Sequence, residues 1–224
     1  HLRGVDSELA LLGERIGIAV VATLVALIGG RLVPSFTRNW MAKQKLVPEP
    51  ASPSRFDAVT LAIGAVALVI WAISPTLYAA GLALTLAGAL HFLRLARWKG
   101  WRTSKEPLVL ILHLGYFWLA LGLLLQGLAI LAPSVVPAAS GLHAITAGAF
   151  GVMTLAVMTR ASLGHTGQKL AATPRISAIY VLVNLAALVR VAAPFLPEHY
   201  TVLLALSAAL WSGAFGWFVF VYAP

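Results

Sequence analysis

The sequence predicts an all-α fold, a polytopic transmembrane helical bundle of seven spans with its amino terminus outside and its carboxy terminus cytoplasmic. Three observations predict it. The 224 residues are 60% hydrophobic and only 10% charged, with a mean hydropathy of +0.91, where a soluble domain carries roughly 25% charged residues. Lipid must therefore cover most of the outside. Apolar runs of about 20 residues recur along the chain, the length that about 30 Å of hydrocarbon demands of a helix. An open sheet is excluded, because its unpaired edge groups find no water in lipid. Finally, the basic residues alternate between loops in a pattern that only an odd number of spans produces.

The first span is expected at residues 9–32, with Asp6 and Ser7 as caps and Glu14 and Arg15 near its outer end. A polar linker follows over 31–55, containing Pro48, Pro50 and Pro53, which do not continue a helix. The second span covers 56–73, with Asp57 favourable at a helix amino terminus. Ser74 and Pro75 make a tight break before the third span, 76–95. A basic loop leads to the fourth, 108–131. Pro133 and Pro137 separate it from the fifth, 141–159, and Gly164, Gly167 and Pro174 mark the next loop. The sixth span covers 176–193, Pro194 and Pro197 end it, and the seventh covers 200–222. The whole chain reads as a single transmembrane domain.

The loops after spans one, three and five hold Arg31, Arg38, Lys43, Lys45 and Arg55; Arg94, Arg97, Lys99, Arg102 and Lys105; and Arg160, Lys169 and Arg175. The loops after spans two, four and six hold no Lys or Arg. Thirteen against none is a positive-inside signature, and it sets the orientation. It also accounts for the net charge of +9 without nucleic acid, whose recognition needs basic and stacking residues on a solvated domain. The absence of Cys removes disulfides, iron–sulfur clusters and c-type haem attachment within these residues. The start, with His1 followed by Arg3, Asp6 and Glu8, reads as a cut within a longer chain without a signal peptide.

Histidine carries the chemistry. His91 and His113 lie near the cytoplasmic ends of consecutive antiparallel spans, where two imidazoles face each other at similar depth. Neutral imidazole suits haem iron or copper; the plain alternative is an amphipathic ring at the interface. His143 opens span five at the outer face, separated from Thr159 by about 16 residues, roughly 24 Å of helix. As a ligand it serves a second site or pairs with a residue outside this segment. His165 lies in a Gly-flanked loop, and His199 beside Glu198 reads as solvated. Met153 and Met158 offer thioethers suited to copper(I) or haem, although in a bundle a Met is more often packing. Arg38 and Arg160 share the cytoplasmic headgroup level and suit carboxylates such as haem propionates, or anionic lipid headgroups. Arg190 snorkels, pairs with Glu198 or lines a site, and Gln126 and Asn184 bridge helices. Small residues spaced by four allow close helix approach: Ala144 and Gly148, Ala147 and Gly151, then Ala208, Ser212 and Gly216. Gly148 and Gly151 would also admit a flat ligand. No Asp or Glu is expected at mid-membrane, which disfavours a proton-coupled pump.

Three segments resemble the NnrS family in content and order. They are residues 29–39, with Gly29, Gly30, Pro34, Phe36, Arg38 and Asn39; the stretch from Arg97, Trp98, Gly100 and Trp101 to His113, Gly115, Tyr116 and Trp118; and residues 143–167, from His143 through Gly148, Gly151, Met153, Met158, Arg160 and Gly164 to His165. The resemblance implies a bacterial inner-membrane, multi-pass protein containing haem and copper, associated with nitric oxide metabolism and resistance to nitrosative stress. Family members have about twelve spans, so missing amino-terminal spans or a second chain are implied partners beside the lipid bilayer. Carried over residue by residue, the pattern supports His113, His143, Arg160, His165 and the segment from Pro34 to Asn39; His91 precedes its Arg-Trp-x-Gly-Trp motif. The rival reading is a permease or exporter of a small anion or metal complex, with Arg38, Arg160 and His165 at its mouth; a third is a structural subunit of a larger oxidase complex.

Overall fold

The computed structural model describes residues 8–47 and 49–223 and carries the first helix back to Leu2. His1, the caps expected at Asp6 and Ser7, and Pro48 lie outside the described residues. The fold is all-helical: α1 (Leu2–Lys43), α2 (Arg55–Ile73), α3 (Tyr78–Arg97), α4 (Pro107–Leu131), α5 (Ala138–His143), a π-helical turn (Ala144–Phe150), α6 (Gly151–His165), α7 (Pro174–Ala192) and α8 (Tyr200–Tyr222). Seven of the resulting helical stretches are long and apolar enough to cross a membrane, with α5, the π turn and α6 forming one of them over Ala138–His165.

Helix α1 runs further than its apolar stretch. It passes through Arg31 and the buried Pro34 to Lys43, so the linker expected from residue 31 begins only after residue 43. The reason lies in spacing. Val33, Thr37 and Met41 recur every four residues and are fully buried, so one face of this polar-looking segment packs into the bundle while Arg31 and Asn39 point outward. Pro34 deletes a single backbone donor, and helices at membrane depth tolerate that loss.

The other helix starts follow local chemistry. The Asp57 carboxylate accepts the Ser54 backbone N–H and hydroxyl, both at 2.9 Å, and fixes the start of α2. Glu106 and Thr173 accept N–H groups from Leu108 and Ile176, each with Pro at the first helical position. At the opposite end of α2, Arg15 of α1 donates to the Ala72 carbonyl at 2.9 Å, satisfying an orphan acceptor of the last turn. Helix α4 is the most enclosed span and touches α1, α3, α5, the π turn and α6. Its contact with α3 depends on Gly88, where a Cβ would lie 2.6 Å from the Leu124 backbone nitrogen. The small-residue faces of the fifth span are filled by side chains: Gly148 lies under Trp118 and Gly151 beside Trp211. Asn184 does bridge helices, accepting from the Trp118 indole at 2.9 Å, whereas Gln126 Oε1 is buried without a hydrogen-bond partner.

Candidate functional site

Polar groups gather at both ends of the bundle, and the two ends differ in what they leave free. At the basic end, α1 to α4 enclose a network centred on Arg94, which is 3% exposed. Its Nε donates to Asp57 Oδ1 at 3.0 Å, and its Nη1 donates to the Tyr116 hydroxyl at 2.7 Å and the Ala26 carbonyl at 3.1 Å. The guanidinium also lies 5.3 Å from the centre of the Trp98 ring. Gly30 makes room for it, since a Cβ there would approach Nη2 within 2.2 Å.

Hydrogen bonds hold both histidines of this end. The Tyr116 hydroxyl accepts from Arg94 and shares a second hydrogen bond with His91 Nδ1, at 2.7 Å. His91 Nε2 faces Gly64 so closely that a Cβ would come within 2.9 Å. Thr37 donates to the Val33 carbonyl at 2.7 Å, so His113 Nε2 donates to Thr37 Oγ1, at 2.8 Å. His113 Nδ1 keeps its lone pair, buried and without a partner, over Gly100, where a Cβ would lie 2.4 Å away. The two imidazoles are therefore each claimed by a different partner, and Trp98 packs its edge against both His113 and Tyr116. Sequence reasoning treated Arg94 as a loop charge and Asp57 as a cap alone. The signal it passed over is the spacing of His91, Arg94 and Trp98, which puts all three on one side of a helix.

The remaining basic-end residues do not converge. Arg38 lies 3.9 Å from Glu49, Arg160 lies over the Phe36 ring at 3.9 Å, and His165 is exposed at the end of α6. Met153 is packed against Gly29 of α1 and Gly115 of α4, and Met158 faces outward.

The opposite end holds a cavity of about 590 Å³ between α1, the start of the fifth span, α7 and α8. Glu14, His143, Thr146, Arg190 and Ser207 supply its polar lining, with Ile18, Leu142, Ala147 and Trp211 as apolar wall. Ser207 and Thr146 have spent their protons on the Ala186 and Leu142 carbonyls. His143 is half-buried and, unlike His91 and His113, makes no hydrogen bond among the described residues. It sits where α5 gives way to the π turn. That turn holds an extra residue as a local widening of the helix, and such turns recur at functional sites.

Among the described residues no three His, Asp or Glu side chains come together as a metal cluster. Compared with known proteins, residues 1–224 match the family model described as NnrS protein. No curated protein and no solved structure matches the chain.

Proposed function

The chain belongs to the NnrS family, whose members are nitric-oxide-related membrane proteins, and on that footing we propose that it is a haem-containing protein of the bacterial inner membrane, acting in nitric oxide metabolism and resistance to nitrosative stress, with haem seated against His143. One observation supports the placement: His143 is the membrane imidazole that makes no hydrogen bond among the described residues and lines a cavity, which it shares with Arg190. The cavity chemistry fits the group. The apolar wall would shield the group from water, His143 would supply a nitrogen ligand to its iron, and Arg190 would offer a guanidinium fork to its acid groups. When bound, haem iron supplies nitric oxide binding and electron exchange. The chain's own contribution is to orient the His143 ring through the π turn, to neutralise acid groups with Arg190, and to exclude water with Ile18, Leu142 and Trp211.

Copper, which the family also implies, does not find a matching donor set. Met153 is embedded between glycines, Met158 points outward, and the nitrogens of His91 and His113 are either hydrogen-bonded or capped by Gly64 and Gly100.

The optical spectrum of the purified protein tests the proposal. A Soret band is expected in the wild type and in H113A, with its loss or a marked shift in H143A. A wild type without the band, or an H143A spectrum identical to wild type, overturns it.

A further inference from the structure

Helices α4 and α7 both start at the basic end, and each leans on the fifth span rather than on the other. The hydrogen bond from the Trp118 indole to Asn184, at 2.9 Å, joins them. Between them lies a groove of about 950 Å³, open to the outside of the bundle. Leu110, Leu114 and Phe117 of α4 face Val181, Leu185 and Leu188 of α7 across it. From Ser177 to Val191 the α7 wall runs for roughly 21 Å at 1.5 Å per residue, longer than the roughly 15 Å of hydrocarbon in one leaflet. The groove presents almost no polar surface. Asn184 also donates to the Tyr180 carbonyl at 2.8 Å, and the Tyr180 hydroxyl is buried beside Thr159. Such walls take hydrocarbon. A partner helix would need small residues to approach closely, and these walls carry Leu, Val and Phe. The ends of the groove differ in charge. Exposed Lys105 precedes Pro107, and exposed Arg175 precedes Ser177, by two residues each at the basic mouth; exposed Glu198 follows Leu196 by two at the far end. Glu106, beside Lys105, is engaged in capping α4 through the Leu108 N–H.

We propose that the groove between α4 and α7 is a binding site for one anionic phospholipid from the leaflet at the basic end. An acyl chain lies along the groove, and Lys105 and Arg175 hold the phosphate, as basic residues flanking a gap between spans do for acidic headgroups. Glu198 disfavours the reverse placement. The lipid fills the gap that the Trp118–Asn184 hydrogen bond spans. No residue of this groove lines the His143 cavity, so the site stands or falls separately from the haem reading.

Native mass spectrometry of the delipidated, detergent-purified protein tests it, with dioleoylphosphatidylglycerol titrated against dioleoylphosphatidylcholine, which carries the same acyl chains. The anionic lipid is expected to be retained as a single adduct with an affinity about tenfold or more higher. K105Q/R175Q is expected to bring the two lipids level. L185W/L188W adds bulk at two exposed positions of the groove and is expected to abolish the adduct of either lipid. K43Q/K45Q removes two exposed charges of the same face beside α1, which does not line the groove, and is expected to keep the preference. Equal affinity for the two lipids in the wild type overturns the site, as does a preference that survives K105Q/R175Q or is lost as fully in K43Q/K45Q. An adduct undiminished in L185W/L188W, with helical content unchanged, overturns it too. H143A is expected to keep the adduct even where haem is lost, which separates this site from the cofactor proposal.

Discussion

Arg94 is the residue on which the packing of the basic end depends. It joins α3 to α2 through Asp57, to α4 through Tyr116 and to α1 through the Ala26 carbonyl. Breaking a buried pair costs about 3–5 kcal/mol where one charge is left without compensation, whereas replacing both partners by apolar residues is often close to neutral. Asp57 keeps Arg97 at 3.5 Å, so R94M is expected to lower stability by less than that amount in a denaturant titration, and R94M/D57L to recover part of the loss. Equal stability of R94M and wild type would contradict the network. The residue scale is also where the sequence was least legible. His113 and His143 stand out because imidazoles are rare in apolar helices, but Arg94 reads the same as the twelve topological charges around it. Only the packing of Gly30 and Tyr116 against the guanidinium distinguishes it.

At the scale of elements, the fifth span is the one with a special geometry. Its π turn at Ala144–Phe150 follows His143 directly, and small residues there admit Trp118 to the Gly148 face. Inserting one alanine between His143 and Ala144 rotates His143 and everything before it by about 100° relative to the turn. His143 then leaves the cavity while the helix survives. The expected outcome is helical content unchanged by circular dichroism together with loss of the His143-dependent Soret band. An insertion variant that kept the band would detach the winding of this span from cofactor placement. Seven helices were legible from run length alone, since lipid imposes a minimum length that composition reveals directly. The π turn was not, because Ala, Ile, Thr and Gly fit α and π winding equally. Nor was the continuation of α1, where the buried spacing of Val33, Thr37 and Met41 is interleaved with Arg31, Pro34 and Arg38.

For the molecule as a whole, seven spans put the two termini on opposite faces, and the alternation of charge orients them. We propose that the face carrying Lys45, Arg102 and Lys169 is cytoplasmic. The chain contains no Cys, so single introduced cysteines report cleanly. In intact cells an impermeant maleimide is expected to label S134C and E198C but not S104C or K169C; the reverse pattern would invert the orientation. The same polarity puts the cavity beside His143, the proposed haem site, at the charge-poor face. The histidine spacing along span five already implied that His143 is remote from His91 and His113, because rise per residue is fixed.

The location of the haem iron is the quantity to measure. A nitroxide attached at E198C lies at the face beside His143, and one attached at S104C lies at the basic face. Iron-induced relaxation of the two labels is expected to be strong at position 198 and weak at position 104. Stronger relaxation at position 104 would put the iron at the end of His91 and His113 and contradict the assignment to His143.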